Sequence, residues 1–161
     1  MREGIAISVP QQQLVVQRNG QTRLTLPVST AAAGTDEREG SGGTPRGSHR
    51  IRAMIGANAR PGTVFVGRRP TGERYSEALG RAHPQRDWIL TRIIWLCGEE
   101  PGRNRGGNVD TQRRLIYIHG TPDSEPMGVP RSHGCIRLHS PALVTLFDLC
   151  YPGMPVWIGA Q

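Results

Sequence analysis

The sequence predicts a mainly β fold with one well-defined helix near the C-terminus. Three observations carry this reading: short apolar runs of period two broken by turn signals, an abundance of Gly and Pro, and a single segment with helical spacing. The chain has 161 residues, the size of one domain, so residues 1–161 are read as a single unit. A domain of this length buries roughly two-thirds of its unfolded surface and needs no metal or disulfide staple. Its 21 glycines and 13 prolines, about a fifth of the chain, suit a turn-rich β protein and fall short of a low-complexity one.

Taken in order, residues 4–9 carry Ile5, Ile7 and Val9 at period two and end at Pro10. Residues 13–17 continue as a second run. Asn19-Gly20 is a strong hairpin signal, and residues 22–28 follow it, so 4–28 reads as an antiparallel meander. Residues 29–48 are rich in Gly, Ser, Thr and Ala and read as a loop within the same unit. Residues 49–55 and 63–66 are further strand candidates, and 67–87 form a polar excursion. The run 88–96, WILTRIIWL, is the most apolar stretch and predicts a core strand. Residues 98–112 form another polar loop, and 114–118, RLIYI, a short strand leading into His119. The helix is placed at 141–150. Ser140 suits an N-cap and Pro141 a first helical position, while Leu143, Leu146, Phe147 and Cys150 share one face. Pro152-Gly153 stops the helix, and 155–158 reads as a last strand.

The formal net charge is +7, and all 20 basic residues are arginines. Arginine forks favour carboxylates and phosphates. The arginines are scattered and little interleaved with aromatics, so no nucleic-acid partner is expected; attraction of an acidic substrate explains the charge as well. No run approaches the length of a membrane span. Three cysteines, Cys97, Cys135 and Cys150, do not make a secreted disulfide framework. The first residues lack the pattern of a secretory leader. The expectation is therefore a cytoplasmic protein, or a periplasmic one if a leader has been removed. The sequence leaves the oligomeric state open.

The chemistry concentrates in residues 118–138, IHGTPDSEPMGVPRSHGCIRL. A thiol is a strong nucleophile only as thiolate, and a nearby histidine is its usual activator. Gly134 permits a tight turn before Cys135, whose backbone N–H groups suit an oxyanion hole. Ser132, His133, Gly134 and Cys135 thus supply a nucleophile with donors around it. His119 lies 16 residues upstream, at the end of an apolar strand, a rigid mount for a base. The carbonyl of Gly120 is placed to fix its tautomer.

These residues resemble the active-site signature of the L,D-transpeptidase catalytic-domain (YkuD-like) family: a His, a gap in the mid-teens, then Ser/Thr-His-Gly-Cys, an apolar residue, and Asn or Arg. Here the series is His119, then Ser132-His133-Gly134-Cys135-Ile136-Arg137. Upstream, Pro27-Val28-Ser29-Thr30 and Gly43-Thr44-Pro45-Arg46-Gly47 resemble two further landmarks, although no Gly follows Ser29-Thr30. The resemblance spans about residues 4–158. It implies a β-sandwich-like, mostly antiparallel domain acting on the stem peptide of peptidoglycan. It makes Cys135 the nucleophile, His119 the base and Gly120 the residue orienting that base. His133 and Gly134 line the oxyanion region with Ser132 in support, and Arg137 anchors the site or a substrate carboxylate. The enzyme would cleave after meso-diaminopimelate and release the terminal D-alanine, without a cofactor. In the cytoplasm its substrates would be muropeptides and its acceptor water, an L,D-carboxypeptidase activity in recycling. The alternatives are an exported transpeptidase that forms cross-links, and a non-catalytic peptidoglycan-binding module.

Blander roles attach to the remaining residues. Cys97 and Cys150 are expected to be core thiols. No metal is expected, because the spacing of His119, His133, Cys135 and His139 matches no common zinc pattern. His49 and His83 are expected at the surface, and Tyr117, Trp88 and Trp95 in the core. Asp123 and Glu125 are loop charges near the motif. Arg92, inside an apolar run, requires an acidic partner or a ligand carboxylate if it points inward.

Overall fold

The computed structural model describes residues 1–160. Ten strands form one branched sheet. The meander at the N-terminus comprises β1 (Gly4–Ser8), β2 (Gln13–Arg18) and β3 (Gln21–Pro27), paired antiparallel. Asn19 and Gly20 both take positive φ, 51° and 74°, the backbone an Asn-Gly hairpin turn demands. Then come β4 (Gly47–Ile55), β5 (Thr63–Val66), β6 (Arg69–Arg74), a short helix α1 (Glu77–Ala82) and the long β7 (Ile89–Gly98). The chain closes with β8 (Tyr117–Thr121), β9 (Ile136–His139), helix α2 (Ser140–Leu149) and β10 (Pro155–Gly159).

The path runs β3-β2-β1-β10-β4-β7-β5-β6, and β8 branches from β7 to carry β9. Two pairings are parallel, β1 with β10 and β8 with β9; the rest are antiparallel. Each parallel pairing joins segments separated by a crossover. The β8–β9 crossover contains the loop between the two His-Gly motifs.

Alternation divides β7, β8 and β9 into two faces. Ile94, Ile118, Ile136 and Leu138 enter the main core with Ile5, Ile7, Leu14, Val16 and Val156. Helix α2 closes that core through Leu143, Leu146 and Phe147. On the opposite face Phe65, Ile93 and Tyr117 make a smaller cluster, against which Cys135 packs. The larger core thus backs the strands that present the site.

Several expectations shift in detail. The strand at 114–118 begins at Tyr117 and runs through His119 to Thr121, so His119 lies in mid-strand. The cause is Leu115, whose φ of 59° breaks extended geometry just before it. The excursion 67–87 holds β6 and α1, the latter N-capped by the Ser76 hydroxyl on Leu79 N–H at 3.0 Å. Helix α2 starts one residue early. Its N-cap is His139 and not Ser140, whose hydroxyl instead meets Thr91 Oγ1 at 2.6 Å. His49 is fully buried because both ring nitrogens find partners, Gly47 O and Thr111 Oγ1, each at 3.0 Å. Burial lowers its pKa to about 4. Arg92 points inward without an acid: it donates to Ala59 O at 2.7 Å and lies over the Phe147 ring. Cys97 is only half-buried and lines a surface cleft with Arg50, Arg52 and Arg105.

Candidate active site

The parallel register of β8 and β9 assembles the site. His119 stands opposite Arg137, and Ile118 opposite Ile136. Paired residues of neighbouring strands point to one side. Tyr117, His119, Cys135 and Arg137 therefore share the face turned away from α2, and all four line one cavity of about 290 Å³. Tyr117 was expected to serve only the core; lying two residues before His119, it has to share that histidine's face.

His119 is 1% exposed. Its Nδ1 lies 2.6 Å from Gly120 O. A carbonyl only accepts, so Nδ1 carries the proton and Nε2 is the nitrogen free to take one. Burial pushes the imidazole pKa below its usual value, opposed by the Gly120 bond and by Asp87. The imidazole is thus neutral at neutral pH. Gly120 has a second reason to be glycine: a β-carbon there would sit 2.5 Å from Leu90 O.

Cys135 closes the turn before β9. Its thiol donates to Leu115 O at 3.4 Å and accepts from Tyr117 N–H at 3.3 Å. Burial pushes its pKa up to about 12; the Tyr117 N–H, Arg137 and Arg114 oppose that rise, and Asp87 adds to it. Thiol and imidazole, which line the same cavity, are thus both neutral at neutral pH.

The turn itself is held from behind. Gly134 has φ 132°, a region that disfavours a side chain. Its N–H donates to Ser132 Oγ at 3.2 Å, and the Ser132 hydroxyl donates to Cys135 O. Of the two expected oxyanion donors, the Gly134 N–H is thus engaged by Ser132. Ser132 thereby forms a clasp around the turn. His133 projects outward, with Nδ1 3.6 Å from Asp87 Oδ2.

The two upstream landmarks prove to be this brace's foundation. Ser29 and Arg137 exchange backbone hydrogen bonds, Ser29 Oγ takes Arg131 N–H and donates to Val129 O, and Ser132 N–H donates to Thr30 O. Thr44 Oγ1 accepts from Ala31 N–H and donates to Gly134 O at 2.9 Å. The segment around Ser29 thereby covers the open edge of β9, which otherwise would lack partners.

Three functional candidates escaped the sequence reading. Asp87, just ahead of β7, bonds Arg137 at 3.2 Å. Arg114 lines the cavity and clamps the 36–43 loop through Asp36 O and Gly43 O. Arg68, at the tip of the β5–β6 hairpin, donates to the Tyr117 hydroxyl at 3.1 Å. None carries a local motif; only the fold brings them together. Of the loop acids, Glu125 reaches Arg137 at 3.7 Å, while Asp123 faces a neighbouring groove. His139 bonds Glu125 O through Nε2.

Known proteins frame this geometry. A family model described as the L,D-transpeptidase catalytic domain matches residues 2–158. Among solved structures, a Bdellovibrio bacteriovorus protein, Bd1075, is 18% identical with a TM-score of 0.61, over 99% of this chain and 48% of its own. A mutant L,D-transpeptidase of Enterococcus faecium is 13% identical with a TM-score of 0.58, over 98% and 50%. L,D-transpeptidase 3 from Mycobacterium tuberculosis, in complex with a faropenem-derived adduct, is 18% identical with a TM-score of 0.55, over 96% and 59%. The chain thus spans roughly half the length of these structures, and at such identities the likeness is one of fold. No curated protein matches the chain.

Proposed function

The chain belongs to the L,D-transpeptidase catalytic-domain family, and from that premise we propose that it transfers the acyl group of a peptidoglycan stem tetrapeptide to Cys135 and then to water. The observation that carries the chemistry is the shared cavity: His119, with Nε2 free, and Cys135 line one space on one face of the β8–β9 pair.

In the first step His119 Nε2 takes the Cys135 proton as Sγ bonds the carbonyl carbon that precedes the terminal D-alanine. The oxyanion is met by the Cys135 N–H, and one such donor is worth about 10²–10³ in rate. Collapse breaks the C–N bond, and the proton on Nε2 goes to the leaving amine. Water then attacks the thioester, gives its proton to His119, and the thiol is restored. Gly120 fixes the imidazole throughout, and Ser132 holds the turn. His133 and Gly134 shape the wall beside the oxyanion, and Arg137 holds a substrate carboxylate.

With water as acceptor the net reaction is hydrolysis at an L-centre, and it suits free muropeptides or nucleotide-linked precursors of the cytoplasm. An amine acceptor would make the same thioester a cross-link. Incubation of the pure protein with a disaccharide tetrapeptide, with and without an acceptor stem, separates the two by product mass. Tripeptide alone supports the hydrolase, a dimer supports the transpeptidase, and unchanged substrate refutes acyl transfer on this class. Fractionation of cells tests the proposed compartment.

A further inference from the structure

We propose that Arg114 is a positioning residue for Cys135: its guanidinium supplies the fixed positive charge that favours thiolate over thiol, and it holds the 36–43 loop against the catalytic turn. This rests on Cys135 as the nucleophile of acyl transfer and goes beyond that reading by naming a second source of its activation besides His119.

Negative charge develops on the sulfur as its proton leaves, and few groups around it can answer that charge. Leu115 O accepts from the thiol and so holds only the protonated form. Tyr117 N–H is the one hydrogen-bond donor to the sulfur among the described residues. The charged or titratable side chains that line the cavity with Cys135 are Arg68, Asp87, Arg114, His119, His133 and Arg137. Asp87 and Arg137 bond each other at 3.2 Å and act on the sulfur in opposite directions. Glu125 offsets Arg137 further, at 3.7 Å. Arg68 is engaged by the Tyr117 hydroxyl and the Trp95 ring. Arg114 is the cation that acts on the sulfur without an acid partner of its own.

Its bonds show why. Arg114 is half-buried and donates only to neutral acceptors: Asp36 O at 3.1 Å, Ser41 Oγ at 3.4 Å and Gly43 O at 2.7 Å. The acids nearby are turned elsewhere, Asp36 onto Arg38 at 2.8 Å and Glu37 onto Arg46 at 2.9 Å. The charge is therefore not neutralised at its own site, and partial burial weakens its screening by water. The same bonds reach the catalytic turn. Gly43 O, which Arg114 holds, packs so closely on Gly134 that a β-carbon there would sit 3.3 Å from it. The next residue, Thr44, donates to Gly134 O at 2.9 Å. Loop and turn thus pack together, with the guanidinium pinned on the cavity wall. Arg113, its neighbour in the chain, is exposed and lies outside that wall.

Alkylation of Cys135 by iodoacetamide, followed by peptide mapping so that Cys97 and Cys150 are counted apart, tests this without any substrate. Two variants separate charge from clamp. Arg114→Gln keeps an N–H donor and loses the charge, whereas Arg114→Lys keeps the charge and loses the planar fork. Circular dichroism checks that each is folded. Removing a nearby opposite charge raises a thiol by about one to three pKa units, and the more basic thiolate partly compensates by reacting faster. Arg114→Gln should therefore slow alkylation about three- to thirtyfold at about pH 8 and move the rise of rate to higher pH. Arg114→Lys should stay within about twofold of wild type, as should the surface control Arg113→Gln. Equal losses in Gln and Lys at position 114 would reduce the arginine to a clamp and overturn the proposal, and so would an unchanged rate in Arg114→Gln. A wild-type protein that shows this charge dependence yet releases no D-alanine from a stem tetrapeptide would strike the acyl-transfer reading instead, leaving the effect of Arg114 on the thiol standing.

Discussion

Cys135 and Cys150 are both partly buried thiols, and burial pushes both to about 12. Each also has an arginine nearby that opposes the rise, Arg18 for Cys150 and Arg114 and Arg137 for Cys135. Their surroundings otherwise differ. Cys150 ends α2, its N–H on Phe147 O at 3.2 Å, and packs against the main core. Cys135 sits in a braced glycine turn, with a backbone N–H on its sulfur and an imidazole across the same cavity. The basicity of the thiol therefore does not single out a nucleophile. What does is a partner able to take the proton and a space able to hold a carbonyl.

That contrast breaks most sharply under substitution. Cys135→Ala is expected to abolish turnover with an unchanged melting temperature and circular dichroism spectrum. His119→Ala should lower the rate by about 10²–10⁴, as expected for a lost general base, and single-turnover kinetics would read it. Near-normal activity in either variant would dissolve the distinction between the two thiols.

Two buried histidines sharpen the same point. His49 has both nitrogens bonded, whereas His119 keeps Nε2 free. Both are held neutral by burial. An unfolded histidine takes a proton near pH 6.5, and His49 in the fold does so only near pH 4. Between those values the unfolded chain binds more protons. The contribution is thus complete above about pH 6.5 and declines as pH falls to about 4, by roughly 3 kcal/mol. Denaturant titrations across that window measure it, and a His49→Gln variant should lose much of the slope. For His119 the same direction of shift sets the acid limb of kcat/KM below pH 6.5.

Smaller effects belong to the brace. Ser132→Ala removes the hydroxyl that joins Gly134 N–H to Cys135 O, which should cost about 1–3 kcal/mol of stability. It should also lower kcat, with the melting temperature and steady-state kinetics read together. Cys150→Ala should leave kcat unchanged and shift stability by about 1 kcal/mol.

The parts of this site that could be read from the sequence are those whose chemistry is local. Ser132, His133, Gly134 and Cys135 are consecutive, and His119-Gly120 is a dipeptide, so their types and order carried the expectation of a nucleophile, a base and an orienting carbonyl. The meander, β7 and α2 were legible because period and turn chemistry are short-range signals. What depended on long-range pairing was not. Asp87 meets Arg137 across 50 positions of chain, and Arg114 reaches a loop more than 70 positions away. His49 appeared polar enough for the surface, yet Thr111 from a distant loop satisfies its ring. Leu115 broke a strand that its β-prone composition favoured, because the preceding turn places it in the left-handed region. The proposed acyl transfer thus rests on local motif, and the wall of the cavity on tertiary contacts.

The most direct test of the central claim is to trap the acyl-enzyme. Intact mass and peptide mapping after brief exposure to a stem tetrapeptide should find a thioester on the peptide containing Cys135, and none when His119→Ala is treated alike. An adduct on Cys97 or Cys150, or equal labelling of Cys135 without the imidazole, would contradict the account.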